Sequence, residues 1–142
     1  MLKKAKRTLS LVLALIMICS TMGVMAFAAE GPTNAEIYVR FYNTSNALVA
    51  TARIYADGYY CEEDGTAEIW DLNWSFSGSQ ASNLSVGSSS VGGDRANMEL
   101  RWRTTTVEMI VFTLSDDGTW TVDGNNIALS VAGLSRITVA LV

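Results

Sequence analysis

The stretch 68–77 narrows the possible folds of this chain more than any other, because its large apolar side chains fall on every second residue. The apolar set is Trp70, Leu72, Trp74 and Phe76, and the polar residues Asp71, Asn73, Ser75 and Ser77 alternate with it. A strand turns successive side chains to opposite faces, whereas a helix repeats about every 3.6 residues. The stretch therefore predicts a β-strand with one buried face and one wet face, with both tryptophans turned inward.

The first 29 residues differ in composition from the rest of the chain. Residues 1–7 carry four basic side chains, residues 8–29 carry no charge, and the run ends in Ala-Phe-Ala-Ala. These features resemble a secretory signal peptide that is cleaved after Ala28 or Ala29. The alternative is an uncleaved membrane anchor, since the uncharged run is long enough to span a bilayer. We predict a signal peptide over 1–29 and a secreted, extracellular domain over 30–142, with no membrane insertion after cleavage.

The predicted mature chain is acidic. Its six arginines stand against fourteen aspartates and glutamates, for a formal charge of −8, and it contains no lysine or histidine. Such a chain repels phosphate backbones, so we expect no nucleic-acid partner. Serine and cysteine nucleophiles would lack their usual general base, so we predict no catalytic residues. Cys61 is the only cysteine left after cleavage, and we expect a buried thiol, with an intermolecular disulfide as the alternative.

Alternating runs on both sides of the turn residues 43–46 predict a β-hairpin. A four-residue loop pairs Phe41 with Leu48 and Val39 with Ala50, which keeps the apolar sets of both strands on one face.

Two Asp-Gly pairs, at 57–58 and 64–65, predict tight turns. Residues 77–93 are rich in Ser and Gly and predict a crossover loop between two halves of the domain. The alternative is that this segment holds a short edge strand near Leu84 to Val86, because so long a loop is unusual within a compact domain.

The second half of the chain continues in short apolar runs. Residues 98–102 alternate, and 107–114 are nearly all apolar, which is typical of a central strand. A second hairpin around 123–126 would pair Val122 with Ile127 and Trp120 with Leu129, and residues 137–141 form a last strand. Both Trp102 and Trp120 are predicted to point inward. The fold prediction is an all-β, single antiparallel β-sandwich, or a small barrel, of about eight short strands.

Carboxylates are the remaining candidates for chemistry. The densest group lies around the second Asp-Gly turn and includes Asp57, Glu62, Glu63 and Asp64. Oxygen ligands on turns suit Ca²⁺, so these are the candidate calcium ligands, although acidic residues at hairpin tips are also ordinary turn formers. Apart from calcium, we predict no cofactor.

Five aromatic and basic residues are predicted to share the outward face of the first hairpin: Tyr38, Arg40, Tyr42, Arg53 and Tyr55. Tyrosine and arginine are enriched at binding interfaces, but the same residues also form ordinary cross-strand pairs. The predicted function is a non-enzymatic binding module for a glycan or an extracellular protein. The alternatives are a structural or self-assembling extracellular protein and, from another class, a carboxylate-based glycoside hydrolase.

Overall fold

The computed structural model describes residues 29–142, and residues 1–28 of the predicted signal peptide lie outside the described residues. The described chain is nearly all β, and its strands form two antiparallel sheets of four strands each. The strands are β1 (Glu30–Asn43), β2 (Leu48–Cys61), β3 (Thr66–Ser77), β4 (Leu84–Gly92), β5 (Arg95–Trp102), β6 (Thr105–Leu114), β7 (Trp120–Asn126) and β8 (Leu134–Leu141). A 3-10 helix (Ala81–Asn83) precedes β4, and a one-turn helix, α1 (Leu129–Ala132), precedes β8. None of the helices within 29–142 has the length and apolar character needed to cross a bilayer.

The two sheets have the strand orders β3-β2-β1-β8 and β4-β5-β6-β7. The chain builds β1 to β3 in the first sheet, crosses to the second sheet for β4 to β7, and returns to place β8 beside β1. The inner faces of both sheets contribute to one hydrophobic core, whose fully buried members include Ile37, Val39, Phe41, Ile54, Met98, Leu100, Ile110, Phe112 and Leu114. The predicted all-β class and the antiparallel arrangement of eight strands are confirmed.

The hairpin of β1 and β2 forms in a different register from the predicted one. Phe41 pairs with Ala50 rather than with Leu48, and Val39 pairs with Ala52, because the ladder shifts near the turn. A shift of two residues preserves the face to which each side chain points. Phe41, Ala50 and Val39 are therefore buried as predicted, whereas Leu48 is exposed.

A β-bulge in β3 overturns the predicted orientation of Trp70. Asp57 pairs with Asp71 and Gly58 pairs with Ile69, which leaves Trp70 as an extra residue in β3. A bulge inserts one residue into the alternation, so the side chains on its two sides no longer follow one parity. Ile69 is buried and Trp70 is exposed. The Asp-Gly pair at 57–58 is thus part of a strand and not the predicted turn.

Gly58 lies at a point where the two sheets approach each other closely. A Cβ atom there would stand 2.6 Å from the carbonyl oxygen of Glu68 and 2.9 Å from Cδ2 of Leu114, which belongs to the second sheet. A glycine inside a strand commonly marks such a close approach. The absence of a side chain at this position lets the bulge and the core contact coexist.

The structure of the second sheet differs from two further predictions. Residues 77–93 cross between the sheets and then form β4, an edge strand that extends beyond the predicted Leu84 to Val86. The predicted hairpin around 123–126 is wrong, because these residues continue β7 and pair with β6, with Gly124 opposite Ile110. The chain then passes through α1 instead of forming a strand at once.

The four tryptophans divide between the core and the surface. Trp102 is buried, and Trp120 is half-buried, with its indole N–H donating to a threonine hydroxyl of β1 over 3.0 Å. The inward prediction is confirmed for these two. Trp74 lies on the inner side of β3, opposite Ile54, but β3 is an edge strand and the side chain is 39% exposed. For Trp70, which is 52% exposed on the outer side, the inward prediction is wrong.

Candidate functional site

The five residues predicted to bind a ligand lie together on the outer face of the first sheet. Tyr38, Arg40 and Tyr42 alternate along β1, and Arg53 and Tyr55 alternate along β2. The residues between them in the sequence are buried in the core, so the alternation directs all five outward. The register places Tyr38 directly opposite Arg53. We call this group the Tyr/Arg face.

Guanidinium groups lie over several rings of the Tyr/Arg face. The Cζ atom of Arg53 lies 5.5 Å from the ring centroid of Tyr38 and 5.2 Å from that of Tyr55. Arg40 lies 5.0 Å from the centroid of Tyr38. Distances within about 6 Å are those of cation–π contacts. These contacts order the side chains and cover part of each ring.

Arg53 is also paired with a carboxylate on the neighbouring strand. Its Nε donates to Oε2 of Glu36, and this hydrogen bond raises the pKa of the guanidinium above its ordinary value. On β8, Arg136 extends the pattern, with its guanidinium carbon 3.6 Å from the ring centroid of Tyr42. The contacts inside the Tyr/Arg face therefore match the cross-strand pairing that was predicted as the alternative to binding.

A second aromatic pair, Trp70 and Tyr59, continues the outer face toward the other end of the sheet. Their rings stack with centroids 5.8 Å apart and planes 19° apart, and Nε1 of Trp70 donates to Oε1 of Glu68 over 3.3 Å. Burial raises the pKa of Tyr59, and the nearby Glu30 carboxylate adds to the shift, so the phenol keeps its proton as a donor. The remainder of the Trp70 ring is open to solvent.

A groove of about 460 Å³ lies beside Trp70. Its polar lining comes from adjacent strands, since Asn34 pairs with Asp57 and Asp57 pairs with Asp71. Ligand sites commonly combine an aromatic surface with a few convergent polar groups. A flat ring beside two carboxylates and an amide suits a ligand that has an apolar face and a hydroxylated rim. We call this groove, together with the Trp70–Tyr59 pair, the Trp70 groove.

The Trp70 groove and the Tyr/Arg face form one continuous surface. Tyr55, Asp57 and Tyr59 are successive outward residues of β2, each opposite an outward residue of β1. At about 3.3 Å per residue, Tyr59 and Tyr55 lie about 13 Å apart along the strand. An elongated ligand can therefore contact both regions.

The four candidate calcium ligands do not converge. Asp57 lies within β2, whereas Glu62, Glu63 and Asp64 lie in the turn that follows it. The extended chain between Asp57 and Glu62 separates them by about 13 Å or more, which is too far to share an ion with ligand distances of about 2.4 Å. Within 29–142, no group of three or more His, Cys, Asp and Glu side chains is placed to hold a metal ion.

Cys61 is buried at the end of β2, with its thiol donating to Oε1 of Glu30 over 3.3 Å. The backbone N–H of Asp64 lowers the pKa of this thiol, but burial and the bond to Glu30 outweigh it, so the pKa lies above its ordinary value. A buried thiol with a raised pKa is a poor nucleophile.

Sequence reasoning missed Trp70 and Tyr59 as surface residues. The signal available in the sequence was Asp57-Gly58 inside an otherwise continuous apolar-polar alternation, since an isolated glycine in a strand pattern suggests a bulge as well as a turn. Reading that pair as a turn ended β2 too early, and strict alternation with Leu72, Trp74 and Phe76 placed Trp70 on the inner face.

The chain matches no protein-family model, no curated protein and no solved structure. The functional interpretation therefore depends on the geometry described above.

Proposed function

We propose that this protein is a small secreted, non-enzymatic binding module that holds a glycan on the outer face of its first sheet. The observation that carries the proposal is an exposed tryptophan, Trp70, beside the carboxylates of Asp57 and Asp71 and the amide of Asn34. The C–H faces of a sugar ring pack on a flat indole, while its hydroxyls donate to carboxylate and amide oxygens.

The charge of the Trp70 groove favours a neutral or basic glycan over an anionic one. Asp57 and Asp71 line the groove, and Glu68 accepts the indole N–H beside it. No arginine lines the groove, and the predicted mature chain carries a formal charge of −8, from six arginines against fourteen acidic residues. A polysaccharide rich in carboxylate or sulfate groups would be repelled from this surface.

The Tyr/Arg face acts in this proposal as a secondary surface. Its arginines are ordered by ring and carboxylate contacts, so their remaining N–H groups are held in place as donors. A glycan long enough to extend from Tyr59 past Tyr55 would reach them. We therefore expect Tyr55→Ala to weaken binding less than Trp70→Ala does.

The test is retention of the purified secreted protein on a panel of neutral, basic and anionic polysaccharides. We expect retention by at least one neutral or basic polysaccharide, loss of that retention in Trp70→Ala, and retention unchanged in the matched control Trp74→Ala. Trp74 is an exposed tryptophan of the same strand that lies on the opposite side of the sheet. Equal loss in both variants, or retention by none of the polysaccharides, would overturn the proposal.

Two further outcomes distinguish the alternatives. A particle size that grows with protein concentration in light scattering, without retention, would favour self-assembly through the edge strands, whose backbone groups are unpaired on one side. Release of reducing sugars from a polysaccharide would favour the carboxylate-based hydrolase.

A further inference from the structure

Glu108 is the one buried charged residue among residues 29–142, with 0% of its surface exposed. It lies in β6 on the inner side of the sheet, in line with Ile110 and Phe112. Neither of its carboxyl oxygens accepts a hydrogen bond of good geometry, although the backbone N–H of Asn125 lies close enough to act on the carboxyl group. Burying a polar group without a partner is destabilising, so such groups usually have a functional or structural reason.

Glu108 lines an open cavity of about 520 Å³ between β7 and β8, although its carboxyl oxygens are themselves buried. Both are edge strands, because β7 pairs only with β6 and β8 pairs only with β1. The cavity is mixed in character: β7 supplies Asp123, Asn125 and Asn126, and β8 supplies the apolar side chains of Ile137 and Val139. This volume is within the range of small-molecule sites.

Gly124 lets the backbone of β7 pack directly against the carboxyl group. A Cβ atom at this position would stand 2.5 Å from Oε2 of Glu108 and 2.9 Å from Cγ2 of Val139. The carboxyl group thus lies beside the cavity, covered by the backbone of β7. Contact with a ligand requires an outward movement of β7, which pairs with a neighbouring strand along one side only, or a rotation of the Glu108 side chain.

The surroundings of Glu108 offer it no positive charge. Burial raises the pKa of its carboxyl group to about 7, and the backbone N–H of Asn125 lowers it only in part. Asp123 is the only other titratable residue that lines the cavity. The neighbouring strand β5 places Leu100 opposite Glu108, and α1 contains no charged residue. Above about pH 7 the carboxyl group of Glu108 is therefore negatively charged, and no basic side chain lines the cavity.

We propose that the cavity between β7 and β8 binds a small organic molecule through a primary ammonium group, which pairs with the carboxylate of Glu108. An ammonium group supplies both the missing positive charge and hydrogen-bond donors for the two oxygens. Asn126, which pairs with Glu108 across the strands and lies on the same face of the sheet, offers an acceptor for a further polar group of the ligand. A metal ion fits less well, because within 29–142 no third acidic, His or Cys side chain joins the site.

The test is isothermal titration calorimetry of the purified protein at about pH 8 with ethanolamine, n-butylamine and putrescine, with n-butanol and calcium chloride as comparison ligands. None of these probes is a sugar that the Trp70 groove could hold. We expect at least one amine to bind, and neither n-butanol nor calcium chloride to do so. Glu108→Gln should weaken amine binding by about tenfold or more, since it removes a charged hydrogen-bond acceptor. The control Asp116→Asn, which removes a carboxylate outside the cavity, should bind as the unmodified protein does.

Two further measurements keep the result interpretable if Glu108→Gln does not fold. Gly124→Ala should also weaken amine binding, because its Cβ occupies the space beside the carboxyl group. The affinity of the unmodified protein should fall as the pH decreases through about 7, when Glu108 takes up a proton.

Four outcomes would overturn the proposal: no binding of any of the three amines, equal binding by Glu108→Gln, equal binding by Gly124→Ala, or stronger binding of n-butanol or calcium. Trp70→Ala should leave amine binding unchanged, so this proposal and the glycan proposal fail independently.

Discussion

Trp70 stacks on Tyr59 across neighbouring strands, with ring centroids 5.8 Å apart, because β3 carries one more residue than β2 at this level of the sheet. Under regular alternation Trp70 would share the face of Leu72, which is buried. The bulge turns the indole to the outer face, where it adjoins Asp57. The candidate binding surface is therefore a consequence of strand pairing.

The first prediction concerns Gly58, at the level of this bulge. Gly58→Ala places a Cβ atom against a backbone oxygen of β3 and against Leu114 of the second sheet, so either the strands or the core must shift. We expect a loss of about 1–3 kcal/mol in the free energy of unfolding, measured by urea denaturation. The matched control is Gly92→Ala, where no atom lies within 4 Å and the expected change is about 0.5 kcal/mol or less. Similar losses in both variants would contradict the close approach of the sheets at Gly58.

The second prediction separates two tryptophans of similar sequence context. Trp102 is 3% exposed and stacks on Phe41 of the other sheet, so Trp102→Ala should lower the free energy of unfolding by about 3–5 kcal/mol. Trp74 points to the inner side but lies at the edge, and Trp74→Ala should cost only about 1–2 kcal/mol. Chemical denaturation monitored by circular dichroism measures both. A larger loss for Trp74→Ala would contradict the edge position of β3.

The third prediction follows from the buried carboxyl group of Glu108. Its pKa is about 7 in the folded protein against 4.5 for an unperturbed glutamate, so the folded state binds more protons than the unfolded state between these values. The contribution of Glu108 to stability is therefore fully present below about pH 4.5 and is lost as the pH rises through about 7. The loss amounts to about 3 kcal/mol at most.

Glu108→Gln removes this titration and provides the measurement. In urea denaturation without an added ligand, the variant should gain stability relative to the unmodified protein between about pH 5 and about pH 8.5. Using the difference between the two proteins cancels the titration of the other acidic residues. A difference that does not change with pH would show that Glu108 titrates normally in the folded state.

The fourth prediction concerns calcium. Because Asp57 is remote from the turn that holds Glu62, Glu63 and Asp64, we expect the melting temperature to be the same with calcium chloride and with a chelator. Differential scanning calorimetry of the purified protein measures this. A melting temperature that falls on addition of the chelator would mean that these carboxylates bind an ion in an arrangement different from the one described.

The Tyr/Arg face could be predicted because it depends only on alternation within two strands. Tyr38 and Arg53 point outward in both the predicted and the observed register, since the two differ by two residues and such a shift leaves every side chain on its own face. Trp70 and Glu108 could not be placed in this way. The orientation of Trp70 depends on an extra residue opposite β2, and the cavity at Glu108 depends on where two strands from different sheets end up side by side.

Local pattern was enough to predict the all-β class, the antiparallel arrangement and most of the core, because a half-buried strand has to alternate whatever its neighbours are. The apolar run 107–114 contains a single charged residue, Glu108, but the sequence does not show whether its side chain is buried or exposed. Only the tertiary structure decides that Glu108 is buried without a partner, that β7 continues through Gly124 and that Trp70 faces outward. The physical reason is that bulges, sheet edges and cavities arise only where strands contact each other. Which strands pair, when they are far apart in the chain, is determined by side-chain packing.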